Sequence, residues 1–247
     1  MSGHWRPISL CAVLQKVFLH IVVQLLDQYS LPVSSCHFGF REGRQTLEIV
    51  DACRNAISKA VAWGVDGYML RADVKRAFDH MRHSVIDEAL RSSNTPPAIR
   101  HAIQLELAEH TMDLHYQGLV WEGVKFSCGG RQGGCDTPAL WVRVFDLALK
   151  LAWKRWEAEK LGVWFDTDFS QSGSGACCSF PSSVGGAASG SDDGFWLRCM
   201  VWADDIVMFG ATLAKTQRMF SILTEELARI SLDWKPSSLE IMRLNEK

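Results

Sequence analysis

The sequence has no Cys-x-x-Cys pair. Its eight cysteines, at positions 11, 36, 53, 128, 135, 177, 178 and 199, show neither zinc-ligand spacing nor a short disulfide framework. They read as reduced, intracellular thiols. Also missing are a leader with the charged, apolar and small-residue order of a secretory signal, a basic cluster of the nuclear-import kind, and any apolar run free enough of charge to span a bilayer. A soluble intracellular protein with no membrane partner is expected, and the sequence does not choose between nucleus and cytoplasm. An excess of positive charge is lacking too: 26 Lys and Arg face 28 Asp and Glu, a net charge of −2. That balance argues mildly against a nucleic-acid binder, because phosphate contacts need Lys and Arg to release counterions. Basic residues do cluster locally, Arg41 with Arg44 and Lys75 with Arg76 and Arg82, and a whole-chain sum hides a basic groove.

What is present is a globular composition. The 247 residues are 47% hydrophobic and 22% charged, with ten Trp and twelve Phe to fill an interior, which suits one large domain or two closely packed lobes. From Trp5 to Leu26 the apolar positions recur too densely for a surface helix, so a mostly buried helix is expected. Residues 30–45, with Pro32, Gly39 and Gly43, read as an ordered loop, and Thr46 to Trp63 as a helix. After the turn at Gly64 to Gly67, YMLRADV reads as a strand and KRAFDHMRHSVIDEALRSS as the start of a helix. Pro96 and Pro97 open another helix to about His110, and MDLHYQGLVWEGVKFS alternates as a hairpin does. Asp136 or Thr137 is placed to cap a helix that continues to about Lys160. Residues 170–194 are rich in Gly and Ser and read as a flexible insertion. FWLRCMVWADDIVMFG reads as strand, turn and strand, Leu213 to Ile230 as a final helix, and the rest as a polar tail.

Asp204 and Asp205 therefore sit at a hairpin tip among apolar neighbours, an arrangement that like-charge repulsion and desolvation make costly. A lone Asp-Asp is more often a plain surface turn. Here a third carboxylate, Asp73, ends another strand, with Phe78 and Asp79 five and six residues on. Carboxylates converging from separate strands suit Mg²⁺, a hard cation that takes oxygen ligands and phosphates. Two such ions, with Mn²⁺ as an alternative, support in-line nucleotidyl transfer when held about 3.5–4 Å apart. His80 and His83 form His-x-x-His, but no further Cys or His nearby completes a zinc set, so they read as a helix-surface pair.

RADVKRAFDHM resembles motif A of reverse transcriptases, GGRQGGCDTP motif B and VWADDIVMF motif C, in that order. RPISL resembles the finger segment. HFGFREGRQT resembles the template-side motif of non-LTR retrotransposon and group II intron enzymes, the retrotransposon version more closely. The resemblance implies an α+β right-hand polymerase palm, a small antiparallel sheet backed by helices, with partial fingers at residues 1–63 and the palm at 64–247. It implies RNA-directed DNA synthesis on an RNA template, extending a DNA primer with deoxynucleoside triphosphates. Asp73, Asp204 and Asp205 are the implied catalytic metal ligands, assisted by the Val74 carbonyl. Arg6 is implied at the incoming triphosphate, a role suited to its bidentate fork. Phe78 is the implied steric gate against a 2′-hydroxyl, and Gln132 and Gly133 pack by the nucleotide and template base. Arg41 and Arg44 would follow the template backbone, with Gly39 permitting its close approach.

The chain departs from the family pattern in three places. Trp202 stands where motif C opens with Tyr or Phe, and within motif B GCDTP replaces the usual proline-rich run after the Gln-Gly pair. At the position of the family's motif D lysine, implicated in protonating the leaving pyrophosphate, the chain has Ser238, and Lys235 three residues earlier offers a replacement ammonium. No thumb, endonuclease, zinc-knuckle or RNase H segment is recognised, so the chain is expected to be one part of a larger element protein. The alternative expectation is an inactive remnant, or an RNA-binding maturase-like module that keeps the palm fold. A palm that makes RNA is disfavoured by Phe78.

Overall fold

The computed structural model describes residues 8–109, 111–126, 128–166 and 194–245. The architecture is α+β, seven helices and eight strands among the described residues, with small antiparallel sheets. Two compact units are distinguished, one built from Met1–Val33, Arg76–Leu147 and Ile230–Leu232, the other from Ser34–Lys75, Ala148–Arg229 and Asp233–Lys247.

The first unit is mainly helical. Helix α1 (Val13–Tyr29) buries Leu19, Val22 and Leu26. The expectation of a mostly buried helix is corrected here, since Leu14, Val17, Phe18 and Ile21 remain exposed: the dense apolar run covers more of the helix surface than its neighbours do. The helix expected to start after Lys75 is broken in two, α3 (Ala77–His80) and α4 (His83–Ser92). The break arises because Met81 and Arg82 adopt extended backbone to pair with residues 128–129: Arg82 bridges Cys128, and the Gly129 N–H donates to the Met81 carbonyl at 2.7 Å. Helix α5 (Pro97–Glu109) packs on both α1 and α4. Strands β2 (Thr111–Tyr116) and β3 (Leu119–Lys125) form the expected hairpin. Helix α6 (Asp136–Ala158) starts in this unit, where buried Arg143 reaches Asp27 at 3.0 Å, and ends in the other.

The second unit carries the main sheet, ordered β6 (Cys199–Trp202), β7 (Asp205–Gly210), β1 (Tyr68–Asp73), β8 (Glu240–Arg243). A second pair, β4 (Val163–Asp166) with β5 (Gly194–Leu197), stands beside it in the core. Helix α2 occupies Thr46–Trp63, as its periodicity predicts; a Gln45–Glu48 capping box opens it, and Gly64 closes it in the left-handed conformation. Its Ile49, Ala52, Ala56 and Ala60 join Phe38, Val163, Phe165, Leu197, Met200 and Phe209 in one apolar cluster. Helix α7 (Leu213–Arg229) packs across β7 and β1, and buried Glu226 on it meets Arg155 of α6 at 2.9 Å. Helices thus back a small antiparallel sheet.

The expected Gly/Ser-rich insertion at about 170–194 lies outside the described residues, save Gly194. No described helix is long and apolar enough to cross a membrane.

Candidate active site

The site begins with strand register. Antiparallel pairing of β1 with β7 sets Asp73 directly opposite Asp205, and alternation along the strands puts Arg71, Asp73, Asp205 and Val207 on one face. Strands β6 and β7 are joined by only Ala203 and Asp204, so Trp202 pairs with Asp205 and Asp204 stands in the turn. A two-residue hairpin turn needs a positive φ at its first central residue, and Ala203 supplies it at 55°. For a residue with a Cβ that costs about 1 kcal/mol, so neighbours must hold the turn in place.

They do so from two sides. The Val74 N–H donates to the Asp204 carbonyl at 3.0 Å, and the loop before α2 pairs with β6, the Phe38 N–H donating to the Val201 carbonyl at 2.8 Å. Gly39 follows in that loop, buried, and a Cβ there would collide with the Ala203 nitrogen. The close approach that Gly39 permits in the structure is therefore to the chain's own hairpin turn. Trp202, the departure from the motif C pattern, packs partly buried against the apolar cluster.

The carboxylates crowd. Burial first, then the negative charges of Asp73 and Asp205, raise the Asp204 pKa above the usual carboxylate range, and a hydrogen bond with the Asp73 carboxyl adds to the rise. Asp73 Oδ1 is buried without a hydrogen-bond partner. Oxygen donors with one orphaned atom and mutual repulsion suit a hard divalent cation. The set is not closed, however: among the described residues no three His, Cys, Asp or Glu side chains form a metal-holding group.

Two basic side chains attend these carboxylates. Lys235 Nζ lies 3.4 Å from Asp73 Oδ2, and Arg71 Nη2 lies 3.1 Å from Asp205 Oδ1. Residues 233–238 run as a strap along the end of β1. The Lys75 N–H donates to the Asp233 carbonyl and the Lys235 N–H to the Asp73 carbonyl, both at 2.8 Å; the Asp73 N–H donates to Ser238 Oγ at 3.0 Å. Ser238, standing at the expected lysine position, thus anchors the backbone of Asp73. Arg71 was legible in principle, since a residue two before Asp73 on a strand shares its face.

Arg44 pairs with Glu48 at 2.8 Å and lies 5.2 Å over the Phe38 ring, while Arg41 donates to the His37 carbonyl at 3.3 Å. In the first unit, Phe78 meets Trp141 edge-on, with ring centroids 6.1 Å apart. There Gln132 Nε2 donates to Asp79 Oδ1 at 2.7 Å, and the Ser9 N–H donates to the Gln132 carbonyl at 2.7 Å. Gly133 has φ 108°, and a Cβ would stand 2.7 Å from the Ser9 carbonyl oxygen. Arg131, not among the expected site residues, is buried between Glu106 at 2.6 Å and Asp136 at 2.8 Å. His83 of the His-x-x-His pair lies with its Nε2 3.3 Å from the Gly129 carbonyl. Arg6 lies outside the described residues.

A family model described as reverse transcriptase (RNA-dependent DNA polymerase) matches residues 1–244. Among solved structures, the chain is similar to apo telomerase from Candida tropicalis truncated from its C-terminal domain. The TM-score is 0.56 and the identity 10%, over 92% of this chain and 40% of that one. Telomerase from the same organism, in complex with a fragment of telomeric RNA, aligns with a TM-score of 0.54 and 12% identity, over 92% of this chain and 33% of that one. The chain thus spans well under half of either neighbour, and the likeness is one of fold. No curated protein sequence matches it.

Proposed function

Because the chain belongs to the reverse transcriptase (RNA-dependent DNA polymerase) family, we propose that it is the RNA-directed DNA polymerase domain of a non-LTR retroelement protein. It would extend a DNA primer on an RNA template with deoxynucleoside triphosphates. The observation that carries this reading is the pairing of Asp73 with Asp205 across β1 and β7, with Asp204 in the adjoining turn and Asp73 Oδ1 left unpartnered. Asp73, Asp204 and Asp205, with the Val74 carbonyl, would hold Mg²⁺, or Mn²⁺ in its place. When bound, two such ions supply charge neutralisation at the attacking and leaving oxygens of an in-line displacement.

The chain's own residues do the rest. The Ser238 hydroxyl accepts from the Asp73 N–H and the Lys235 N–H donates to the Asp73 carbonyl, so both backbone groups of Asp73 are held. The Lys235 ammonium, already beside Asp73, is the group we assign to deliver a proton to the leaving pyrophosphate, in place of the family's lysine. Phe78 excludes a 2′-hydroxyl by shape, Arg6 and Gln132 bind the incoming nucleotide, and Gly133 lets the backbone approach it. Arg41 and Arg44 form the template side, and Gly39 seats their loop against the Ala203 turn. Residues 1–63 serve as partial fingers and 64–247 as the palm.

A second reading, an inactive remnant or RNA-binding maturase-like module, is favoured by one observation: Ser238 supplies an anchor and no ionisable group where the family has its lysine. Primer extension on an RNA template with Mg²⁺, beside Asp204→Asn, decides. Metal-dependent DNA product from the parent alone supports the polymerase. A folded parent that binds RNA yet gives no product supports the module, and a preference for ribonucleotides would overturn the assignment of Phe78.

A further inference from the structure

Arg71 stands on β1 two residues before Asp73, so its side chain leaves the sheet on the same face. Across β7 its direct partner is Val207, which makes Asp205 its diagonal neighbour, within reach of a long side chain. Across β8 its direct partner is Glu240. The guanidinium takes up both options: Nε and Nη2 approach Asp205 Oδ1 at 3.2 and 3.1 Å, while Nη1 lies 3.8 Å from Glu240 Oε2. Both donors to Asp205 converge on one oxygen, short of the two-oxygen fork that makes Arg–carboxylate pairs strong. None of the three side chains is locked by burial, with side-chain exposures of 50% for Arg71, 37% for Asp205 and 70% for Glu240.

Asp205 is thus engaged by a cation of the chain itself, and the described residues contain no closed group of three metal-holding side chains. We propose that Arg71 is a positioning residue for metal loading: it holds the Asp205 carboxylate in reserve and releases it to an arriving divalent cation, coming to rest on Glu240. Strand register makes the exchange short, because Asp205 and Glu240 flank Arg71 on neighbouring strands of one sheet face. The exchange is also shallow, since a pair this exposed shifts an equilibrium by only about 1.5- to 5-fold. This inference rests on the reading of Asp73, Asp204 and Asp205 as metal ligands.

The test is Mn²⁺ titration of the whole chain followed by electron paramagnetic resonance, which reads binding without turnover. Arg71→Gln is expected to bind Mn²⁺ about two- to fivefold more tightly than the parent. Arg71→Lys, which keeps the charge but loses the paired donors, is expected to fall between them. Glu240→Gln should weaken binding by a similar factor in the parent and have no effect once Arg71 is Gln. The Arg71→Gln gain should vanish in an Asp205→Asn background, whereas a general charge effect would persist there. Unchanged or weaker binding by both Arg71 variants, or a gain that survives Asp205→Asn, overturns the proposal. A parent that binds no Mn²⁺, or binds it equally well as Asp204→Asn, overturns the metal-ligand reading and this inference together. A parent whose binding needs Asp204 but ignores Arg71 overturns this inference alone.

Discussion

Ser238 Oγ accepts a hydrogen bond from the Asp73 N–H at 3.0 Å and donates one to the Lys235 carbonyl at 2.7 Å. One hydroxyl thereby ties the end of β1 to the strap that carries Lys235. Ser238→Ala should lower stability by about 1–2 kcal/mol, since two hydrogen bonds are lost at a net value of about 1 kcal/mol or less each, and slow primer extension, because Asp73 loses its anchor. Ser238→Thr should keep both. Ser238→Lys, which installs the family's residue, is expected to lower activity rather than raise it. A gain in extension rate from Ser238→Lys would show that the hydroxyl anchor is dispensable.

Lys235 is half exposed, so its pair with Asp73 adds little to folding, under about 1 kcal/mol. Lys235→Gln should leave the urea midpoint almost unchanged. If its ammonium protonates the leaving group, the single-turnover rate should drop by about 10²- to 10⁴-fold. A rate within a factor of about three of the parent would remove Lys235 from that role.

Asp204 gives a pH signature. Burial, with the charges of Asp73 and Asp205, raises its folded pKa above the unfolded value, so the folded state holds the proton more tightly than the unfolded chain. Stability then falls as pH rises from the unfolded pKa, about 3.9, through the folded one, and the whole penalty is present only above the folded pKa. Without metal, Asp204→Asn should therefore melt higher than the parent once pH exceeds the unfolded pKa, by a margin that widens as pH rises toward the folded one. The difference should close below about pH 4. Thermal melts across that range, in a chelator, check the sign.

Much of this site was legible in the sequence. Asp73 at a strand end, the hairpin that carries Asp204 and Asp205 and helix Thr46–Trp63 follow from alternation, periodicity and local turn chemistry, all properties of neighbouring residues, although Asp205 opens β7 rather than sharing the tip with Asp204. What sequence could not supply depends on distant pairing. Strand β8, Glu240–Arg243, lies in what reads as a polar tail, because all four of its residues are exposed at a sheet edge and carry no buried face. Strand β4 is similarly short. The anchor role of Ser238 and the collision that forbids a Cβ at Gly39 are meetings of segments more than 160 residues apart in the chain, 165 for Asp73 and Ser238.

Gly39→Ala places its methyl group against the backbone nitrogen of Ala203, which has no flexible side chain to give way. The hairpin turn or the loop at Phe38 must shift, at a cost of about 1–3 kcal/mol by analogy with overpacking. Because the turn carries Asp204, extension should fall by more than tenfold even where circular dichroism stays native. A fully active, native-melting Gly39→Ala would show that the turn has room the structure denies it.

Arg131 tests the helical unit independently of catalysis. Its guanidinium is buried between Glu106 and Asp136, and Thr137 Oγ1 donates to its carbonyl at 2.9 Å, so side chain and backbone together pin the start of α6. Removing one member of a buried ion pair strands the others without solvent, which costs about 3–5 kcal/mol. Arg131→Met should therefore be strongly destabilised in urea. Arg131→Lys, which keeps the charge but cannot reach both carboxylates with a planar fork, should lose less. Glu106 is the less buried partner, with 21% of its side chain exposed against 8% for Asp136, and can turn to water when the cation is gone. Asp136→Asn is accordingly expected to rescue part of the Arg131→Met loss and Glu106→Gln to rescue less, an ordering that urea midpoints of the four variants read directly.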